Sequence, residues 1–382
     1  MVVKTPAPEV ASRNSTSSWF WRFVGGFLGF RLLSSGWLAR PFVMFARLIN
    51  VRPRGFSEPR SRSLRTADQI GRLECSIRGI QYELGELQDI DGIIGLDPSS
   101  GEYRSLRGGR VRQYSVSKTG PLELAAACVS RTLKEANCPP SEIHTVILAS
   151  ERCLKVSTYA DINSLLLGMG LTQARVVGVN LSGCTNATVA LRVASAIRQT
   201  EQLNTVLVVN TDTLPLEAAY RVESPGACVF SDAAISFLVG PPGEGDFDVL
   251  GIEHVAIPQI GRFELRENSF HAIRECMAGP RAAVQDLLSR AGLRPDQIAC
   301  FLNANLVYGL TVAQARMCGF KTSQCYLENI PRFSHAYAGD PFINLHDACA
   351  SNRVSDGDYV VLLGTAATSW GAVLLQKCKG TM

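Results

Sequence analysis

VSRTLKEANCPPSEIHTVILAS (residues 129–150) and VQDLLSRAGLRPDQIACFLNAN (284–305) match each other without a gap at an offset of 155. Val129/Val284, Leu133/Leu288, Ala136/Ala291, Pro140/Pro295, Ile143/Ile298 and Ala149/Ala304 are identical pairs. Each stretch reads as an amphipathic helix, a proline-containing turn and a buried strand. At the same offset NTVLVVNTDT (204–213) falls on YVVLLGTAAT (359–368). Two segments in one register predict a duplicated α/β unit, with two similar halves related by a pseudo-twofold axis. From about residue 74 onward, strand-like and helix-like segments alternate, as the α/β class requires.

Outward from the repeat, 382 residues with 46% hydrophobic content suffice for a double domain with a sizeable core. Twelve cysteines without a C-x-x-C pair exclude a disulfide scaffold and argue against zinc ribbons and thioredoxin-like sites. Scattered in apolar stretches, they read as reduced thiols of an intracellular protein. Charge is unevenly spread: residues 1–72 carry +9 and the remainder −5, so the body is not a nucleic-acid binder on charge grounds.

The stretch 19–50 is aromatic and apolar, but Arg22, Arg31, Arg40 and Arg47 interrupt it. No run reaches the roughly 18 residues of a membrane span, and no charged leader precedes a clean apolar core as in a secretory signal. A transit peptide, a segment lying on a membrane surface and a poorly ordered extension from an early start site all remain open. RPRGFSEPRSRS (52–63) reads as a linker. The expected organisation is an extension over 1–72, a half carrying the candidate nucleophile over 73–245, and a second half over 246–382.

Cys184 lies in LSGCTNATVALRVASAI (181–197), just after the strand-like ARVVGVNL and at the start of a helix. Adding the offset lands on Gly339, within SHAYAGDPFINLHDA (334–348). Pseudo-symmetry therefore brings Cys184 and the His335 region together near the shared axis. A helix N-terminus favours a thiolate, and a nearby imidazole completes a pair able to carry an acyl group as a thioester.

With these residues the chain resembles the thiolase-fold condensing enzymes of the ketoacyl-acyl-carrier-protein synthase III type, over about residues 74–379. Cys184 in SGCTNATVAL matches the family's nucleophile. FSDAAISFLVG (230–240) resembles the F-G-D-G-A-A entry, and VSDGDYVVLLGTAATSWGAVLLQ (354–376) the closing G-D-x-V-L-L…G-G-G-x-x-W-G segment. GEYRSLRGG (101–109) is similar to E-W-x-x-x-R-x-G, so Tyr103 and Arg107 match residues at the coenzyme A adenine end.

The resemblance implies a duplicated, five-layer α-β-α-β-α fold and usually a homodimer. It implies an acyl-CoA or acyl-carrier-protein thioester as substrate, no permanently bound cofactor and no metal. The backbone N–H groups of Cys184 and Ala366 are then candidates for the oxyanion site. The family condenses the loaded acyl group with a malonyl thioester, using a histidine and an asparagine. This chain departs there. In ACFLNANLVYG (299–309) either Ala304 or Leu302, depending on register, stands where the histidine belongs. His335 falls in the asparagine slot, and Thr365, Ala366 and Ala367 replace glycines. Asn303 or Asn305 is a candidate substitute donor, giving a swapped Cys–Asn–His set.

His346 reads as structural, Asp232 as setting a turn, and His144, His254 and His271 carry no assigned role. Arg110 and Arg112 read either as exposed surface or as a contact for an acidic carrier protein. The retained cysteine favours an acyltransferase or condensing enzyme of fatty-acid-like or specialised-metabolite synthesis. The missing histidine favours a non-catalytic partner of an active homologue, and a thioesterase-like hydrolase is a third reading. A cytoplasmic location is expected, with organellar or membrane-peripheral placement open through the N-terminal segment.

Overall fold

A computed structural model describes residues 74–379 apart from 152–158, 216–220, 224–225 and 263–268. The extension expected over 1–72 and its linker lie outside the described residues. The chain runs β1 (Ser76–Leu84), β2 (Glu86–Asp89), α1 (Gly101–Gly108), β3 (Gln113–Val116), α2 (Pro121–Glu135), β4 (Thr145–Ala149), α3 (Tyr159–Gly168) and β5 (Arg175–Val179). It continues through α4 (Asn186–Glu201), β6 (Val206–Asp212), β7 (Val222–Glu223), β8 (Cys228–Val229), β9 (Ala233–Gly240) and β10 (Phe247–Ala256). Then follow α5 (Ser269–Ala291), β11 (Ile298–Asn303), α6 (Tyr308–Met317), α7 (Asn329–Phe333), α8 (Asp340–Ala350), β12 (Tyr359–Thr365) and β13 (Ser369–Lys377).

The duplication reaches down to the helix caps. In α2 the chain turns at Asn137 (φ 46°) and Cys138 N–H returns to the Leu133 carbonyl; in α5 it turns at Gly292 (φ 66°) and Leu293 N–H returns to Leu288. Both are left-handed C-caps, at positions 155 apart, where Asn and Gly tolerate positive φ best. A single-turn 3₁₀ segment beginning at Pro140 or Pro295 then leads into β4 or β11.

Nine of the strands form one sheet in the order β11-β12-β13-β10-β1-β9-β6-β4-β5, while β2 pairs with β3 and β7 with β8 in separate ribbons. The two parts of the large sheet meet only at a short seam, Ser76 opposite Asp248 and Ile77 opposite Phe247. On either side of the seam lie the two sheets of a thiolase-like, five-layer duplicated fold. Helix α2 covers the outer face of β1, β9 and β6, and α5 that of β10 and β13; α4 and α8 are sandwiched between the sheets. The sandwiched layer is the main core, where Ala187, Ala190, Leu191 and Ala194 of α4 meet Phe342, Ile343 and Leu345 of α8. Strands β6 and β9 are buried throughout, which explains their near-continuous apolar sequences.

Strands β4, β5 and β6 are mutually parallel, so their carboxyl ends open on one side of the sheet. Loops beyond such strand ends are where open α/β sheets bind ligands. Strand β5 stands at the sheet edge, and two residues past it Leu181 is 92% exposed. Among the described residues no helix is long and apolar enough to cross a membrane.

Candidate active site

The turn after β5 is built to present Cys184. Gly183 has φ 56°, which frees the chain to reverse sharply into a 3₁₀ segment, Gly183–Thr185, that continues as α4. Ser182 N–H donates to the Asn186 side chain at 3.0 Å, and the Thr185 hydroxyl donates to the Ser182 carbonyl at 2.6 Å. His254 on β10 places Nε2 3.1 Å from the Thr185 hydroxyl oxygen and holds this turn from the second sheet. The first N–H groups of a helix lack an intrahelical acceptor, and Cys184 N–H lies among them.

His335 arrives from the matching turn of the other copy. Its N–H donates to the Val229 carbonyl at 3.0 Å, and its carbonyl accepts from Ser231 N–H at 2.8 Å. Ser334 (φ 56°) and Tyr337 (φ 53°) flank it in the left-handed region, a costly backbone held by these contacts and by Val229 N–H on the Ser334 hydroxyl. Nε2 of His335 lies 3.3 Å from Cys184 Sγ, and Nδ1 lies 2.5 Å from Asp340 Oδ2.

Asp340, the first residue of α8, also receives Ala336 N–H, Asn305 N–H and the Asn305 side-chain amide. Four donors converge on its two oxygens, so Nδ1 of His335 carries a proton and Nε2 is the ring nitrogen turned to the sulfur. Behind Asp340 runs a buried amide chain. Asn344 Nδ2 donates to Asn305 Oδ1, and Asn329 Nδ2 donates to Asn344 Oδ1, each at 3.0 Å. Asn329 Nδ2 also reaches Asp347 at 2.9 Å, which pairs with Arg332 at 2.8 Å at the surface.

Glu151 completes the surroundings of the thiol. It is the second residue past β4, and its N–H donates to Asp212 Oδ1 at 2.8 Å, as does the Ser150 hydroxyl at 2.9 Å. Asp212 closes β6, so neighbouring strand ends fix Glu151 with its Oε2 2.9 Å from Cys184 Sγ. The thiol donates to this carboxylate. Burial, then the Glu151 charge, push the Cys184 thiol well above its ordinary range. The thiolate expected from a helix N-terminus is therefore corrected: desolvation and the adjacent carboxylate outweigh the helix end.

The structure brings Cys184 and His335 into contact but deploys the other expected residues differently. Asn303 gives its amide to the Thr311 carbonyl and Gln314 of α6; Asn305 is the one that joins the His335 network. Ala304 packs in the apolar cluster that contains Cys184, whereas Leu302 faces the layer between the sheets. Of the two registers, the one that puts Ala304 in the histidine's place is thus the one that shares the cluster of Cys184. Ala366 N–H, expected at the oxyanion site, donates instead to the Ser369 carbonyl at 2.9 Å and closes the β12–β13 hairpin.

Tyr103 and Arg107 are tied to acids. The Tyr103 hydroxyl donates to Asp91 at 2.7 Å, while Arg107 pairs with Asp89 at 2.9 Å and with Asp91. Arg110 stacks on the Tyr308 ring, 3.7 Å from its centroid. Asp232, expected to set the turn of its motif, instead ties distant segments together: it takes Ser117 N–H, Leu214 N–H and both guanidinium nitrogens of buried Arg221. Glu151 and Asp340 stand outside the residues expected from the sequence. The available signals were a carboxylate just past an all-apolar strand, and an Asp-Pro pair opening a helix five residues after His335.

Fold and contact together define a thiolase-fold protein organised around a buried cysteine–histidine pair. Within that class the chain is ketoacyl-acyl-carrier-protein synthase III-like. It is 21% identical over 298 residues to the β-ketoacyl-[acyl-carrier-protein] synthase III of Aquifex aeolicus (strain VF5), covering 75% of this chain and 93% of that protein. It is 23% identical over 301 residues to the protein of the same name from Desulfitobacterium hafniense (strain DSM 10664 / DCB-2), covering 72% and 88%. Among solved structures the acyltransferase ChlB3 superposes with a TM-score of 0.71 at 15% identity, covering 80% of this chain and 98% of that one. No family model matches the chain.

Proposed function

We propose that this protein is an acyltransferase that takes an acyl group from a CoA or carrier-protein thioester onto Cys184 and passes it to an acceptor deprotonated by His335. The observation that carries the reading is the line Cys184 Sγ–His335 Nε2, 3.3 Å, with His335 Nδ1 fixed on Asp340 at 2.5 Å. A nucleophile, a base and a group orienting the base are the parts acyl transfer needs. In the first half-reaction Sγ attacks the donor carbonyl and the donor thiol leaves with a proton. In the second, acceptor attack on the acyl-cysteine releases Sγ, which regains its proton from His335.

The acceptor is a hydroxyl or amine in preference to a malonyl thioester. Decarboxylation develops an enolate that needs donors aimed at its oxygen, and Ala304 supplies no side-chain donor. The carboxylates of Glu151 and Asp212, which raise the thiol pKa, also disfavour a second anion there. Mass spectrometry after incubation with acyl-CoAs checks the reading: one acyl adduct is expected on wild type and none on Cys184→Ala. An adduct that persists in the variant would sink it.

A homodimer fits the same reading. The outer edge of β5 offers backbone groups to a further strand, and exposed Leu181 lies three residues from Cys184. Light scattering at micromolar concentration is expected to give twice the chain mass; a monomer, together with Leu181→Lys leaving its mass unchanged, would exclude pairing through this edge.

A further inference from the structure

Two bases face one nucleophile, and a single imidazole already meets the needs of simple acyl transfer. Glu151 Oε2 lies 2.9 Å from Cys184 Sγ, closer than His335 Nε2 at 3.3 Å. The two come from different copies of the duplicated unit. Glu151 is seated through Asp212 at the ends of β4 and β6, and His335 through Asp340 at the start of α8. Each has its own carboxylate anchor, so neither depends on the other for position.

We propose that Glu151 is a catalytic residue for acyl loading, the base that takes the Cys184 proton, while His335 serves the transfer step. The inference rests on the acyl-transfer reading above. As Sγ bonds to the donor carbonyl carbon, the thiol proton moves to Glu151 Oε2. When the tetrahedral adduct collapses, the C–S bond to the donor thiol breaks and Glu151 returns the proton to the leaving sulfur. Glu151 ends the half-reaction as a carboxylate and Cys184 as a thioester. His335 has exchanged no proton, so its Nε2 lone pair is available when the acceptor arrives. A buried thiol without a standing thiolate needs such a partner, because the proton must leave as the S–C bond forms.

The alternative is that Glu151 is only a negative neighbour, and the two roles predict opposite signs. Besides Glu151, the groups acting on the thiol are His335, Asp212 and Cys228. Removing the Glu151 charge lowers the thiol pKa, so a mere neighbour, once neutralised, would speed every reaction of the thiolate. Glu151→Gln keeps the size of the side chain and removes the base.

The test compares wild type with Glu151→Gln in three measurements. Loading from octanoyl-CoA, read by CoA release in a single turnover, is expected to slow by about 10²–10⁴-fold. Hydroxylaminolysis of the loaded acyl-enzyme is expected to stay within about threefold, as one step with its own base requires. Alkylation of Cys184 by iodoacetamide, which needs no acyl donor, is expected to shift to lower pH. Loading as fast as or faster than wild type overturns the proposal, as does an equal loss in both acyl steps. A wild type that accepts no acyl-CoA or carrier-bound acyl group defeats the acyl-transfer reading itself. The alkylation profile still tests the Glu151–thiol contact on which the proposal stands, since identical profiles exclude it and so overturn the proposal.

Discussion

Asp340→Asn is expected to leave Cys184 loadable and to slow transfer to the acceptor by about 10²–10⁴-fold. The carboxylate receives Ala336 N–H, both Asn305 donors and His335 Nδ1, and an amide has only one oxygen for them. Wherever its NH₂ points it meets another donor. The imidazole then gains by moving its proton to Nε2, which turns the base away from its task. Single-turnover transfer from the preloaded enzyme measures the effect, and loading of Cys184 in the same variant reports whether the fold survived. A transfer rate within threefold of wild type would mean that Asp340 does not set the tautomer.

Arg221→Met is expected to cost about 3–5 kcal/mol of stability, because it strands the Asp232 charge in the interior. Both side chains are almost fully buried, 4% and 0% exposed. The guanidinium spans Asp232 and the carbonyls of Ser115, Leu214 and Phe230. Leu214, Cys228 and Phe230 from this region pack with Cys184, and Phe230 bridges to His335, so loosening it disturbs the site as well. Urea denaturation of wild type, Arg221→Met and the double variant Arg221→Met/Asp232→Leu checks the cause. The double variant is expected to recover most of the loss, since it leaves no unpaired charge. A single-variant loss below about 1 kcal/mol would show that the buried pair adds little.

The architecture was legible because it is periodic. An offset of 155 matched caps, turns and strands in two copies, and the same offset carried Cys184 onto the segment holding His335. What periodicity carries is the path of the backbone, and the rest of the site depends on side chains that leave that path. Glu151 looks like a turn residue until its chain is followed back to Sγ. Asn303 and Asn305 are alike in sequence, but β11 ends between them, and the alternation that would put both on one face ends too. Arg107 looks available because the aspartates that take its charge lie 16 and 18 residues away. The helix-end argument for a thiolate gave the right sign for an exposed turn, but Cys184 is 9% exposed and faces a carboxylate.

The amide chain behind Asp340 has a sense of direction. Asn329, Asn344 and Asn305 each donate toward the carboxylate; Asn305 and Asn344 accept from the amide behind, and Asn329 accepts from Arg332 while its amide also reaches Asp347. Turning one of them over sets oxygen against oxygen on one side and nitrogen against nitrogen on the other, so the three reverse together or not at all. The chain starts at Asn329, which accepts from Arg332 near the surface and shares Asp347 with Arg332 and Tyr82, and it ends at the ring that faces Cys184. Whether that ring is poised to accept a proton is thus recorded in the orientation of amides that never touch a substrate. A brief local disturbance at the thiol cannot rewrite that record, because doing so requires the whole row to turn at once.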